Sequence, residues 1–365
     1  MKVKAAVVYK HDEPFIVKEV ELAPPNDHEI LVKMAGCGIC HADLFVKENG
    51  PTPLPAVFGH EGSGVVEQVG RSVTHIRPGD HVVLCSYSCG VCEACLSGHP
   101  AWCVRADEVD FGGIYADGTK HIKDEEGNEL SCFFGQSSFA THVVADQRST
   151  VKVPADVDVT MLGPLGCGFQ TGAGSVLNVF KPEVGDTIAV FGCGSVGLAA
   201  LMAAKLSGCS TIIGIDTVPY KLEIAKELGA THVINTKDDK DIVAKIMEIT
   251  NGRGLDFTFE TIGTEATLAA AIESLRRGGT CGEVASTGNK VIGLKLRTLM
   301  GESRRLVGIV QGDSVPWNFI PKLIEYYKEG LFPFDKVITY YDFEDINKAA
   351  EDAHNGLVIK PVLRF

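Results

Sequence analysis

Two short stretches, Gly36-Cys37-Gly38-Ile39-Cys40-His41-Ala42-Asp43 and Gly59-His60-Glu61-Gly62, flank a loop carrying Pro51, Pro53 and Pro55. They offer a thiol and an imidazole, side chains that zinc prefers. A catalytic zinc takes three protein ligands and leaves one position open. The third candidate is distant, in Gly163-Pro164-Leu165-Gly166-Cys167-Gly168. Alone, the first stretch is open to another reading. Cys37-Gly38-Ile39-Cys40 follows a strand-like run, Ile30 to Met34, and could be a thioredoxin-type redox pair or two buried thiols.

Further along, Cys89, Cys92, Cys95 and Cys103 follow the spacing C-x2-C-x2-C-x7-C. Four thiols so close match a closed, tetrahedral structural zinc site. A bacterial iron–sulfur motif ends C-x3-C-P, whereas here the last gap is seven and no proline follows Cys103. A third chemical stretch begins after Thr187-Ile188-Ala189-Val190-Phe191, a short buried strand. Gly192-Cys193-Gly194-Ser195-Val196-Gly197 then opens a helix-like run to Leu206, and a second strand ends at Asp216, nineteen residues past Gly197 (216 − 197). Strand, G-x-G-x-x-G, helix and distal acid make the dinucleotide fingerprint. The glycines permit a tight turn and let a pyrophosphate reach the helix N-terminus. Asp216 would accept hydrogen bonds from the adenosine ribose. With Thr217 rather than Arg beside it, a 2′-phosphate would be repelled, which favours NAD over NADP.

These residues need scaffolds. The chain has 365 residues, enough for two domains, and 45% hydrophobic with 22% charged residues is ordinary globular composition. A net charge of −13 argues against nucleic acid or an anionic membrane surface as partner. No apolar run nears the roughly 20 residues of a membrane span. Met1 to Ala5 runs straight into a strand pattern without a signal-peptide core, so a cytoplasmic protein is expected. There, twelve cysteines point to metal or catalysis rather than disulfides. Residues 1 to about 100 read as short strands broken by Gly and Pro, with short helices near Ala42 and Ala94. Residues 104 to 136, polar and Gly-rich, read as a long loop. From about 169, strands and helices alternate through Val284, with Gly278-Gly279 as a turn, which implies a doubly wound parallel sheet. Helices at 319–327 and 343–353 and a strand at 359–365 complete the chain, the tail returning to the first domain.

The combination resembles the zinc-dependent medium-chain alcohol dehydrogenases across essentially the whole chain. Gly163-Pro164-Leu165-Gly166-Cys167-Gly168-Phe169-Gln170-Thr171-Gly172-Ala173-Gly174 and Gly135-Gln136-Ser137-Ser138-Phe139-Ala140 are most similar to the benzyl or aryl-alcohol branch. The resemblance implies an α/β fold: a Rossmann doubly wound parallel sheet at 169–310, plus a β-rich, GroES-like, zinc-bearing catalytic domain from 1–168 and 311–365, its structural zinc lobe at about 85–105. It implies two zinc ions per chain, catalytic on Cys40, His60 and Cys167, structural on Cys89, Cys92, Cys95 and Cys103. Asp43 would hydrogen-bond His60, or cap the following helix, roles that are compatible. Glu61 would lie behind the zinc as a transient ligand. His41 and Lys360 match positions on the pyrophosphate, with solvated surface charge as the alternative. Lys221 would join Asp216 at the ribose, and Thr171 would face the nicotinamide. A homodimer or homotetramer is also implied.

The implied chemistry is Lewis-acid activation of an alcohol oxygen with hydride transfer to NAD, reversibly. The sequence departs from the family in the proton relay. Ala42 stands where a Ser or Thr hydroxyl is usual, and Phe45 where some relatives carry an imidazole. Oxidation of a primary aromatic or allylic alcohol is the leading reading. The alternatives are a zinc-containing conjugate or iminium reductase, a glutathione-dependent formaldehyde dehydrogenase, and a non-catalytic NAD-binding sensor.

Overall fold

The first part of the chain forms ten strands: β1 (Lys2–Val8), β2 (Ile16–Leu22), β3 (Glu29–Gly38), β4 (Ala56–Val57), β5 (Glu61–Val69), β6 (His81–Leu84), β7 (Ile122–Lys123), β8 (Glu129–Leu130), β9 (His142–Asp146) and β10 (Thr150–Val153), with side chains pointing alternately to the two faces. The structure is a computed structural model and describes residues 1–288 and 290–365. Strand β1 shows how the pattern works. Val3, Ala5 and Val7 enter one core with Val20, Val32 and Leu84, while Ala6 and Val8 enter another with Phe15, Phe58 and Phe139. One sheet runs β4-β1-β2-β7-β8. The expected loop at 104–136 is therefore corrected. It contains a helix, Ala106–Asp110, and the β7–β8 pair, in which buried Ile122 lies opposite both Leu22 and Leu130. Two apolar residues inside a polar run were too few to reveal a strand.

The second part is a parallel sheet of β11 (Thr187–Phe191), β12 (Thr211–Asp216), β13 (His232–Asn235), β14 (Leu255–Glu260), β15 (Leu275–Glu283) and β16 (Arg305–Gly308), in the order β13-β12-β11-β14-β15-β16. All five residues of β11 are buried, as a central parallel strand requires. Helices Ser195–Leu206, Pro219–Leu228, Ile242–Ile249 and Glu265–Glu273 connect the strands. Their ends are marked locally: Pro219 opens one, Gly229 at φ 132° closes it, and the Asp241 and Thr264 side chains cap the next two. Gly278 and Gly279 sit inside β15 rather than in a turn, because its pairing with β14 shifts register between Leu255 and Phe257.

The chain ends with β17 (Ile338–Asp342) and β18 (Lys360–Arg364). They finish a second sheet of the first part, β10-β6-β5-β3-β18-β17, in which β9 also pairs with β3. Val362, Leu363 and Arg364 lie opposite Gly38, Cys37 and Gly36, so the last strand flanks the one leading to Cys40. Two compact units result: Met1–Cys167 with Val315–Ile324 and Asp335–Phe365, and Gly168–Ser314 with Glu325–Phe334. Residues 311–314 and 325–334, expected in the first domain, cluster with the second. Gln170 bonds to Gln311, and Phe334 packs on Phe169 and Tyr327. Among the described residues, no helix is long and apolar enough to cross a membrane.

Within the second unit a Cβ on Gly197 would lie 1.8 Å from the Gly192 carbonyl oxygen, so helix and loop touch through glycine alone. Gly197→Val should destabilise the chain by about 1–3 kcal/mol, the usual cost of overpacking. A urea denaturation midpoint equal to wild type would contradict that contact.

Candidate active site

Asp43, on the first turn of helix His41–Asn49, is fully buried. Its Oδ2 accepts the Cys40 backbone N–H at 2.9 Å, and its Oδ1 accepts the Gly59 N–H at 3.1 Å and the His60 Nδ1 at 2.7 Å. One carboxylate thus caps the helix and orients the imidazole. With Nδ1 donating to Asp43, Nε2 points at the Cys167 sulfur, 3.1 Å away. Cys167 follows the short 3-10 turn Gly163–Gly166, which packs closely on β5: a Cβ on Gly163 would lie 2.1 Å from the Glu61 carbonyl oxygen. The donor atoms of Cys40, His60, Glu61 and Cys167 all lie within 4.8 Å of one another. Two sulfurs, an imidazole nitrogen and a carboxylate at this spacing fit a zinc ion.

Electrostatics favour the ligating form at Cys40. The hydrogen bond from Cys167, against the cost of burial and with help from Lys360 and His60, holds the Cys40 thiol well below its usual range. Thiolate is the ligating form of cysteine. Burial opposes charge on His60, but Asp43 and the Cys40 sulfur outweigh it and raise the imidazole well above its ordinary value. Burial pushes Glu61 up to about 7 in spite of Lys360. Lys360, only 1% exposed, is no solvated surface charge. Its Nζ donates to Glu61 Oε1 at 3.0 Å, Glu61 Oε2 at 2.8 Å and the Ile39 carbonyl at 3.2 Å. Burial would neutralise the amine, and the Glu61 and Cys40 charges overcome it, so its pKa is raised. A Cβ on Gly38 would lie 2.0 Å from Glu61 Oε2, so glycine is required there for the carboxylate to fit.

Aromatic rings wall the imidazole. Phe134 stacks on His60 at 4.4 Å between centroids, Phe133 meets it edge-on at 5.5 Å, and Phe111 packs on both phenylalanines. Phe134 has φ 53°, a strained conformation for a bulky residue, and its N–H is held by the Asp110 carbonyl. Sequence reading missed this pair, although Phe133-Phe134 directly before Gly135 was the available signal. His41, by contrast, is exposed at the start of its helix, and its ring centroid is 6.2 Å from that of Phe45.

Cys89, Cys92, Cys95 and Cys103 form a local cluster whose sulfurs all lie within 4.8 Å of one another. Backbone N–H groups of Cys89 and Arg105 donate to the Cys103 sulfur, and that of Cys92 to Cys89. N–H groups of Cys95 and Val104 pull the Cys92 thiol down to about 6, while burial pushes Cys95 up to about 12. The set fits a closed tetrahedral zinc. All twelve cysteines are free of disulfides.

In the second unit Gly192 takes φ 99°, and a Cβ on Gly194 would meet nothing within 4 Å, which leaves room at the N-terminus of helix Ser195–Leu206. Asp216 braces this loop. Its Oδ2 accepts the Cys193 N–H at 2.8 Å, and its Oδ1 those of Thr217 and Val218 at 2.7 and 2.9 Å. Lys221 lies on the first turn of helix Pro219–Leu228, and Thr171 on helix Gly168–Gly174. The sheet order reverses between β11 and β14, the switch point at which such sheets bind ligands.

Comparison with known proteins agrees with this geometry. Residues 26–155 match the family model described as alcohol dehydrogenase GroES-like domain, and residues 195–329 the one described as zinc-binding dehydrogenase. A geraniol dehydrogenase of Castellaniella defragrans is 40% identical over 364 residues, 99% of this chain and 97% of that protein. A crystal structure of a Burkholderia ambifaria alcohol dehydrogenase zinc-binding domain protein superposes with TM-score 0.97 at 43% identity, covering 100% of this chain and 99% of that one. The benzyl alcohol dehydrogenase of Acinetobacter calcoaceticus gives TM-score 0.96 at 40% identity with the same coverage. Zinc and NAD(H) are the cofactors of such enzymes, and both ligand sets above suit them. Likeness over the full length, in sequence and in fold, makes the chain a member of the zinc-dependent medium-chain alcohol dehydrogenase family.

Proposed function

We propose that the chain oxidises a primary alcohol whose carbinol carbon adjoins a π system, aromatic or allylic, to the aldehyde, reversibly and with NAD. The aromatic setting of His60 carries this reading, since Phe134 stacks on the imidazole and Phe111 and Phe133 pack against Phe134, an apolar environment beside the candidate ligands. Relatives named for benzyl alcohol and geraniol share that substrate chemistry.

Cys40, His60 and Cys167 would hold the catalytic zinc, with Glu61 as an occasional donor, and Cys89, Cys92, Cys95 and Cys103 the structural one. When bound, the catalytic zinc would supply Lewis acidity and NAD a hydride acceptor. Asp43 keeps the His60 tautomer that leaves Nε2 able to ligate. Lys360 offsets part of the cost of burying Glu61 through their ion pair in a water-poor interior. Phe133 and Phe134 exclude water. Ala42 has no hydroxyl to take the alcohol proton, which leaves exposed His41, water or a ribose hydroxyl as the route. Gly192, Gly194 and Gly197 would admit the pyrophosphate, with His41 as a further contact, whereas buried Lys360, implied by the resemblance for the same role, is instead engaged by Glu61 and the Ile39 carbonyl. Asp216 and Lys221 would take the ribose, and Thr171 would face the nicotinamide. The unit Met1–Cys167 with Val315–Ile324 and Asp335–Phe365 would then serve as the catalytic domain and Gly168–Ser314 with Glu325–Phe334 as the NAD-binding one. A cytoplasmic homodimer or homotetramer belongs to the same reading, in keeping with cysteines free of disulfides.

The decisive experiment is a rate survey with NAD over benzyl alcohol, cinnamyl alcohol, geraniol, ethanol and hydroxymethylglutathione, together with product identification for cinnamaldehyde and NADH. The first three should show the highest kcat/KM, and cinnamaldehyde should yield cinnamyl alcohol. Ethanol as best substrate would overturn the pocket reading, and a saturated aldehyde would install the conjugate reductase instead.

After exhaustive dialysis the protein should retain two zinc per chain. Cys89→Ser should lose one equivalent and a substantial part of the stability, because structural zinc contributes folding free energy directly. Cys167→Ser should lose one equivalent and the activity while circular dichroism stays native. Iron in the wild type would refute both ligand assignments.

For the cofactor, NAD should be preferred over NADP by more than about 100-fold in kcat/KM, on the order of 3 kcal/mol of lost hydrogen bonds and charge repulsion at Asp216. Asp216→Gly should narrow the gap mainly by weakening NAD. Equal use of the two cofactors by the wild type would be incompatible with the role given to this carboxylate.

A further inference from the structure

A third group of metal-ligating side chains lies outside both cysteine sites. Glu29 opens β3, Asp117 sits in the turn between Tyr115 and Thr119, and His121 immediately precedes β7. Glu29 is 3% exposed, and its Oε2 accepts the Asn26 N–H, yet its buried Oε1 has no hydrogen-bond partner. That oxygen lies 3.4 Å from His121 Nε2, and Asp117 Oδ2 lies 3.6 Å from the same nitrogen. The three donor atoms are mutually within 4.8 Å. His121 is 5% exposed, Tyr115 clamps its ring edge-on at 4.3 Å, and Thr119 Oγ1 lies 3.1 Å from Nε2. Asp117 is steadied through Oδ1 by Thr119 and through Oδ2 by the Asn26 amide.

The charges do not balance. Burial lowers the His121 imidazole, which favours its neutral form, and burial with the nearby Asp117 and Asp146 charges lifts Glu29 to about 7. The spacing, however, is that of ligands sharing one ion: donors about 2.1 Å from a tetrahedral cation lie about 3.4 Å apart. A surface recess lined in part by Asn26, Glu29, Asp117 and Asp146 gives access from solvent.

We propose that Glu29, Asp117 and His121 bind a divalent cation of the first transition row. One imidazole and two carboxylates without sulfur suit Mn2+, Co2+ or Zn2+, and the imidazole disfavours Ca2+ and Mg2+. The ion would staple the start of β3, whose far end leads to Cys40, to the segment entering β7.

The test is a titration of Mn2+ into the dialysed two-zinc protein, followed by the loss of the free-ion electron paramagnetic resonance signal. One equivalent should bind and should raise Tm. Glu29→Gln, His121→Asn and Asp117→Asn should each weaken binding at least about tenfold and abolish the Mn2+-dependent rise in Tm, with benzyl alcohol turnover unchanged. Asp117 is exposed, so Asp117→Asn decides the matter even if the buried variants fail to fold. No binding at millimolar Mn2+, or binding undiminished in Asp117→Asn, would overturn the site.

Discussion

A single buried carboxylate holds the geometry of the candidate metal ligands together. Asp43 joins the turn carrying Cys40 to the turn carrying His60 by accepting three hydrogen bonds, two from backbone and one from imidazole. An isolated charge buried to this extent would cost several kcal/mol, and its three donors offset that cost. The arrangement is coupled in both directions. The helix His41–Asn49 cannot start elsewhere without releasing the imidazole, and His60 cannot turn without uncapping the helix. Ligand position therefore follows from secondary structure, not from side-chain packing alone.

Around this anchor the first unit uses charge and the second uses steric closeness. Behind the cysteine and histidine ligands, Glu61 and Lys360 form an ion pair that is almost wholly dry, seated on Gly38, where no larger residue leaves space. In the dinucleotide fingerprint the equivalent device is contact between backbone atoms, with Gly197 against Gly192 and one acidic side chain tying the loop to the strand beyond. Both solutions reserve glycine for positions where another group must come within van der Waals distance.

Much of this was legible in the sequence because it is local. The alternation of strands and helices, the G-x-G-x-x-G turn and the cysteine run are each written in contiguous residues, and the α/β fold with a parallel sheet followed from them. Cys40, His60 and Cys167 could be singled out by type and setting, although their closeness depends on β3, β5 and the turn before Cys167. What could not be read were pairings at long range. Lys360 and Glu61 are 299 residues apart (360 − 61), and a lysine in a terminal strand looks like surface charge until β18 is laid on β3. The ring of Phe134 on His60 depends on a left-handed backbone that no propensity predicts. Glu29 and His121 are likewise distant in sequence and come from different sheets, Glu29 at the start of β3 in one and His121 just before β7 in the other.

The two cysteine clusters also differ in when they can exist. On the ribosome a chain emerges from its N-terminal end, and folding units form in that order. The four-thiol lobe is complete once Cys103 has been made, with its N–H···S bonds drawn from neighbours in sequence. The other cluster waits for Cys167, and the ammonium that balances its buried carboxylate follows 193 residues later (360 − 167). If these clusters hold the two zinc ions proposed for them, the ligands of the structural ion are all synthesised before Cys167, and the ammonium facing Glu61 comes only with the last strand.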